Sequence, residues 1–186
     1  MARFVATFSG TVLNVGGTPS TWSGVKLPVT VLNREPPHSW DDNSSVDFVL
    51  GDGTRMDYAD GAFEVVYCNS VIEHLGSYER QAKLADEIRR VGAGYWVQTP
   101  ALCFPIEPHY LTPLVHWLPR RARRRVLPYT IWGLVSRPSR EYMDAMIDEI
   151  RLVTKRELTE LFPDATIIPE RFAGLVKSWI VVRRSR

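Results

Sequence analysis

The run Pro105-Ile106-Glu107-Pro108-His109-Tyr110 places a carboxylate, an imidazole and a phenol within four positions, with prolines stiffening the backbone on both sides of Glu107. A carboxylate next to an imidazole can do general acid–base work, with His109 as candidate base and Glu107 as the group that assists it. The same spacing also suits a turn capped by Glu107. Glu73-His74 is a second acid–imidazole pair, in which the histidine can cap, pack or shuttle a proton, and packing is the expectation. Cys68 and Cys103 are too few for a disulfide framework and have no Cys or His neighbours at metal-ligand spacing, so reduced thiols and no metal are expected. Five arginines fall within six positions, Arg120, Arg121, Arg123, Arg124 and Arg125, between the apolar flanks Leu114-Val115, Trp117-Leu118 and Val126-Leu127. That composition suits either an anionic membrane surface or a solvated helix face. No base-reading motif accompanies the arginines, so sequence-specific nucleic acid is not an expected partner.

These groups need a scaffold, and a chain of 186 residues is the size of one domain, read here as residues 1–186 with an insertion. An apolar share of 45% with 24% charged residues excludes a disordered or collagen-like chain. Residues 1 to 75 hold 4 Lys/Arg against 9 Asp/Glu and the rest hold 19 against 12, so the parts carry −5 and +7. There is no apolar run long enough for a membrane span and no secretory signal in Met1 to Val12, which points to a cytoplasmic protein, at most peripheral at a membrane. Short β-rich runs at 11–15, 28–32, 46–50, 63–68, 95–99, 166–168 and 178–182 read as strands, several of them closed by Gly, Asn or Pro. Ala82, Leu84, Ala85, Ile88 and Val91 recur at helical spacing, which predicts an amphipathic helix from Tyr78 to Val91 closed by Gly92 and Gly94. Thr154-Lys155-Arg156-Glu157 has capping-box spacing and should open a helix through Leu161. Between them, residues 100–150 break the alternation with seven prolines interleaved with Trp117, Tyr129 and Trp132, as an insertion or lid would.

The alternation implies an α/β protein with a mostly parallel sheet and helices on both faces, whose ligand sites lie beyond the carboxyl ends of the strands. The loops at those ends resemble, in order, the class I S-adenosylmethionine-dependent methyltransferases of the type 11 kind. Val12-Leu13-Asn14-Val15-Gly16-Gly17-Thr18-Pro19-Ser20 is similar to the family's first motif, a strand running into a glycine-rich turn. Asp60-Gly61-Ala62-Phe63-Glu64-Val65-Val66 with Val71-Ile72-Glu73-His74-Leu75 resembles its fourth-strand signature, and Glu87-Ile88-Arg89-Arg90-Val91 resembles the helix that follows. The resemblance implies a Rossmann-like sheet with an antiparallel last strand and S-adenosyl-L-methionine as cofactor. It assigns Asn14, Gly16 and Gly17 to the first cofactor loop, Asn33 or Glu35 to the ribose, and Asp52 and Gly53, with Arg55 and Met56 beside the ring, to the adenine. Asn69, Ser70 and His74 would line the cofactor after the fourth strand.

The first motif departs from the family: Asn14 stands for the usual acid, Thr18 and Ser20 for glycines, and Pro19 removes a backbone N–H. Two readings follow. One is methyl transfer to an oxygen or nitrogen of a small-molecule, glycan or lipid acceptor held under the insertion. The other is a non-catalytic methyltransferase-like module that binds a partner through residues 100–150. A nicotinamide oxidoreductase is disfavoured because no G-x-G-x-x-G fingerprint is present.

Overall fold

The computed structural model describes residues 10–36 and 46–184; residues 1–9 of the segment read for a secretory signal lie outside them. Seven strands form one sheet: β1 (Val12–Val15), β2 (Val29–Asn33), β3 (Val46–Leu50), β4 (Phe63–Asn69), β5 (Gly92–Pro100), β8 (Thr166–Phe172) and β9 (Leu175–Arg183). Their order is β3-β2-β1-β4-β5-β9-β8. β1 to β5 run parallel, and β9 pairs antiparallel with β5. The expected sheet and its antiparallel last strand are both present. β1 is the point where the order reverses, with β2 on one side and β4 on the other, so the loops leaving β1 and β4 part and open a crevice between them. The register sets Val15 beside Leu32 and Cys68, Asn33 beside Leu50, and Asn69 beside Gln98, so the strands end along one carboxyl edge.

Buried strands of a parallel sheet are apolar on both faces, as the fully buried Val65, Val66, Tyr67 and Cys68 of β4 illustrate. One face is covered by α1 (Tyr78–Val91) and α5 (Lys155–Leu161), whose Leu84, Ile88 and Leu158 join Leu13, Val66 and Val97 in the main core. α5 begins with the expected capping box between Thr154 and Glu157. The opposite face carries, among the described residues, a single 3-10 turn, Pro19–Trp22, in place of a full crossover helix. Trp22 fills that position, buried edge-on against Tyr67 at 5.3 Å. The helices are thus unevenly shared between the two faces, because the connection from β1 to β2 is too short for a helix of several turns.

The end of α1 differs from the sequence expectation. Gly92 is extended (φ −104°) and already belongs to β5, as does Gly94. A Cβ on Gly92 would lie 2.6 Å from the Gly94 carbonyl and 2.7 Å from Val66, so glycine is needed for helix-to-strand packing rather than for a left-handed cap.

Residues after β5 form a two-residue hairpin, β6 (Ile106–Glu107) with β7 (Thr112–Pro113), and then α2 (Arg120–Val126), α3 (Ile131–Ser136) and α4 (Arg140–Glu149). They share a small core of their own built on Tyr110, Val115, Leu127, Met143 and Ile147.

Candidate active site

At the ends of β1, β2 and β3 a small cavity of about 70 Å³ is lined by Gly16, Asn33, Arg34, Asp52, Gly53 and Thr54, among others. Gly16 has φ +73°, and a Cβ there would lie 2.6 Å from Val71, so glycine lets the β1 loop approach the β4 loop. A Cβ on Gly17 would fall 1.9 Å from the Asn14 amide nitrogen, which is buried and has no hydrogen-bond partner. Asn33 donates to the Gly17 carbonyl (3.1 Å) and accepts from the Arg34 N–H, tying the first two loops together. Asp52 accepts from the Thr54 N–H (2.9 Å) and hydroxyl (2.8 Å) and meets Arg34 at 3.3 Å. Burial works to raise its pKa, but the Thr54 bonds and the Arg34 charge outweigh it and hold the carboxyl below its usual range. Glu35 and Arg55 are exposed. Met56 is buried in the main core, where its N–H donates to Glu87, because the Glu87–Arg90 pair of α1 clamps this loop down. Neither Arg55 nor Met56 lines the cavity.

At the ends of β4 and β5 the chemistry is denser. Ser70 sits at φ +53°, donating its N–H to the Gln98 carbonyl, and the 3-10 turn Ile72–Leu75 follows. That turn buries Glu73 and leaves His74 half-buried. Glu73 Oε2 accepts from the Thr99 hydroxyl (3.0 Å), while Oε1 is buried without a hydrogen-bond partner. Burial pushes the Glu73 carboxyl up, against the Thr99 bond and the charges of His74 and His109. His74 Nδ1 faces Glu149 Oε1 of α4 at 2.8 Å.

Across from it, Glu107 caps the β6–β7 turn, its Oε2 accepting from the N–H groups of His109 (2.7 Å) and Tyr110 (2.9 Å). Its Oε1 faces His109 Nδ1 at 2.5 Å. Turn cap and imidazole holder, the two alternatives left open by the sequence, are therefore both filled by one buried carboxylate. Burial lowers the His109 pKa, but the Glu107 bond and the charges of Glu107, Glu73 and Glu149 prevail and leave it raised. His74 and His109 meet edge to face with their Nε2 atoms 3.0 Å apart. Glu73, His74 and His109 each offer a ligand atom, all within 4.8 Å of one another. Thr99, which holds Glu73, also lines a cavity of about 330 Å³ with Ser70, Pro108, Ile106, Leu111 and Lys177.

Residues 24–93 match the family model described as a methyltransferase domain. A protein from Pyrococcus horikoshii has a similar fold at 15% identity, with 96% of this chain and 83% of that chain covered and a TM-score of 0.57. Burkholderia thailandensis 1,6-didemethyltoxoflavin-N1-methyltransferase, with bound 1,6-didemethyltoxoflavin and S-adenosylhomocysteine, is similar at 14% identity over 94% and 70%, TM-score 0.56. A Methanosarcina mazei SAM-dependent methyltransferase is similar at 12% identity over 92% and 90%, TM-score 0.53. No curated protein matches the chain. The chain thus has the fold of solved S-adenosylmethionine-dependent methyltransferases, and its residues 24–93 match a methyltransferase domain.

Of the positions that the resemblance assigned to the cofactor, Gly16, Asn33, Asp52 and Gly53 share one cavity, and Gly17 packs against the Asn14 side chain. Asn69 is exposed at the end of β4, and Ser70 lines the larger cavity instead. His74, expected as a packing residue of the cofactor loop, is held against His109. Glu149 was not singled out from the sequence, Glu73 was read only as the neighbour of His74, and no metal-binding set was expected. The Glu73-His74 pair was visible, but its partners lie 35 and 75 residues further along the chain, beyond any local spacing rule.

The arginine run is largely occupied. Arg123 donates to the Leu118 and His116 carbonyls, Arg124 pairs with Asp144 (3.0 Å) and Asp148 (2.7 Å), and Arg120 lies 3.9 Å from Asp148. Arg121 and Arg125 are exposed, as are Tyr129, Ile131, Leu134 and Val135 of the following turn and helix. No helix among the described residues is long and apolar enough to cross a membrane.

Proposed function

We propose that this chain transfers the methyl group of S-adenosylmethionine to an oxygen or nitrogen of a small-molecule, glycan or lipid acceptor. The supporting observation is the Glu73–His74–His109–Glu107 cluster, which adjoins the larger cavity across the crevice from the glycine-rich loop. The residues of that loop fit the cofactor: Gly16 and Gly17 let the loop backbone press close against Val71 and Asn14, where a Cβ would clash, and the buried Asn14 amide has an unused donor. Asp52, with its side chain 38% exposed, is placed to accept from the adenine amino group, and Asn33 or Glu35 from the ribose. The cofactor supplies a methyl group already activated by the sulfonium, so the chain has to align the acceptor and exclude water.

In this reading residues 100–150 form the lid over the acceptor, as part of one domain spanning residues 1–186. His109, oriented by Glu107, takes the proton of an acceptor hydroxyl or amine, a contribution of about 10²–10⁴ in rate. The exposed Arg121 and Arg125, with Ile131, Leu134 and Val135, fit contact with an anionic membrane surface, where a lipid or glycolipid acceptor would be met. Calorimetric titration with S-adenosylhomocysteine tests the reading. Binding is expected, and no heat at millimolar ligand would favour the non-catalytic module, to which Asn14 and Pro19 in the first motif lend support.

A further inference from the structure

The charges around the two histidines do not balance. Glu73 and Glu107 are buried and Glu149 is half-exposed, so three carboxylates converge on two imidazoles. Each Nδ1 faces a carboxylate oxygen, which accepts a hydrogen bond and does not donate, so each Nδ1 carries a proton. The two Nε2 atoms then point at each other from 3.0 Å. Protonating both would set two imidazolium N–H groups head to head with no acceptor between them. Protonating one permits a single hydrogen bond between the rings and still leaves Glu73 Oε1 without a partner. Leaving both bare presents two lone pairs at one point in space, in a cluster where Glu73 Oε1 is also buried without a partner.

We infer that Glu73, His74 and His109 form a divalent transition-metal site, with His74 Nε2, His109 Nε2 and Glu73 Oε1 as ligands. One ligand atom from each of the three residues lies within 4.8 Å of the others, and the two Nε2 atoms are 3.0 Å apart. Two nitrogens 3.0 Å apart, each at a metal–nitrogen distance of about 2.0–2.1 Å, subtend about 90–100° at the ion, an octahedral angle. Two imidazoles and one carboxylate on one side of an ion leave positions open on the other, a donor set suited to cobalt, iron, manganese or zinc. The surroundings are those of a finished site. Glu107 and Glu149 each hold the far nitrogen of a ligating histidine, which fixes ring orientation and keeps Nε2 free for the metal. The Thr99 hydroxyl steadies the other oxygen of Glu73. Thr99 also lines the larger cavity, so the open positions of the ion lie near the space assigned to the acceptor, where an acceptor oxygen could complete the coordination. With the ion bound, His109 is a ligand; it can act as a base only in the metal-free protein.

The inference stands apart from methyl transfer and is tested on binding alone. The full chain, stripped with a chelator and dialysed, is titrated with Co²⁺ while visible absorption and calorimetric heat are followed. About one Co²⁺ per chain is expected, with ligand-field bands in the visible. His74→Ala and His109→Ala should each lose at least about tenfold in affinity, and Glu107→Gln about 10–100-fold as an outer-shell change. Glu149→Gln alters a half-exposed group and should keep the fold while weakening Co²⁺ several-fold, which keeps the test informative if a buried variant fails to fold. No Co²⁺ binding by the parent would overturn the inference. Equal affinity in the parent and in folded His74→Ala, His109→Ala and Glu149→Gln would overturn it as well, since the ion would then sit elsewhere. S-adenosylhomocysteine binding measured on the same samples separates failure of the metal site from failure of the cofactor reading.

Discussion

Along the carboxyl edge of β1 to β3, polar side chains bind near neighbours: Asp52 bonds to Thr54, and Asn33 to the N–H of Arg34 and to the adjoining loop. Across the crevice, Glu73 reaches Thr99, and His74 reaches both His109 and Glu149, over 26 to 75 residues of chain. The first region is shallow and partly wet, with its charges satisfied locally. The second is buried, and its carboxylates outnumber its cations. A local, hydrated rim can bind and release a cofactor with little rearrangement, whereas a desolvated cluster is where electrostatic effects grow large enough to drive chemistry. Under the proposed function the contrast would separate binding from reactivity, and it can be broken by substitutions on either side.

The largest effect should come from the buried side. His109→Ala is expected to lower turnover of an identified acceptor by about 10²–10⁴, whether the imidazole serves as base or as ligand, while S-adenosylhomocysteine affinity stays within about twofold. Steady-state kinetics with calorimetry on the same variant check this, and a matching loss of cofactor affinity would erase the division between the two regions. Next is the clamp on the loop after β3, beside the β1–β3 rim. Glu87 accepts from the Met56 N–H and from Arg90, which also donates to the Met56 and Tyr58 carbonyls. Glu87→Ala should cost about 2 kcal/mol in denaturant unfolding, the usual size for hydrogen bonds to a charged group. The Arg90 hydrogen bond, aided by the Met56 N–H and opposed by burial, holds the Glu87 carboxyl below its ordinary value. A depressed folded-state pKa stabilises the protein above the unfolded value of about 4.3 and stops doing so as pH falls through the folded one. The stability gap between parent and variant should therefore be full at neutral pH and shrink below about pH 4.

Asp52→Ala sharpens the rim itself. Cofactor binding should weaken by about 1–3 kcal/mol, the loss expected when a ligand's polar group is left unpaired, with turnover at saturating cofactor little changed. An unchanged calorimetric titration would remove Asp52 from the cofactor contacts. The smallest effect belongs to the exposed arginines. Replacing Arg121 and Arg125 by serine should reduce co-sedimentation with anionic vesicles by about 1 kcal/mol per residue at low salt, and the attraction should fade as salt is raised. Equal recovery on neutral and anionic lipid would leave them as a solvated face.

Much of the rim was legible because its signals are local. Gly16-Gly17 ends an apolar run, Asp52 sits between glycines, and the capping box at Thr154 declares its helix in four residues. Met56 escaped the same logic: it follows Asp52 by four residues yet turns into the core, because the Glu87–Arg90 pair on α1 pulls its backbone inward. Gly92 misled in a similar way, since its composition signal is that of a helix stop while its cause is a carbonyl and a valine pressing on the Cα.

What the sequence determined by itself is the order of elements, from periodicity and turn chemistry, and with it the parallel sheet whose carboxyl edge must carry the site. It also placed Glu107 and His109 together, since they flank Pro108, whose ring fixes the backbone between them. The tertiary structure alone decided that His74 faces His109, that Glu149 holds His74, and that Glu73 is left buried with an oxygen unused. Those contacts arise when β5, the β6–β7 hairpin and α4 fold back over the end of β4. The energy that fixes them is burial of Tyr110, Leu127, Met143 and Ile147 in a separate small core. A hydrophobic cluster drawn from positions so far apart leaves no periodic trace, so the residues it brings face to face could be seen only in three dimensions.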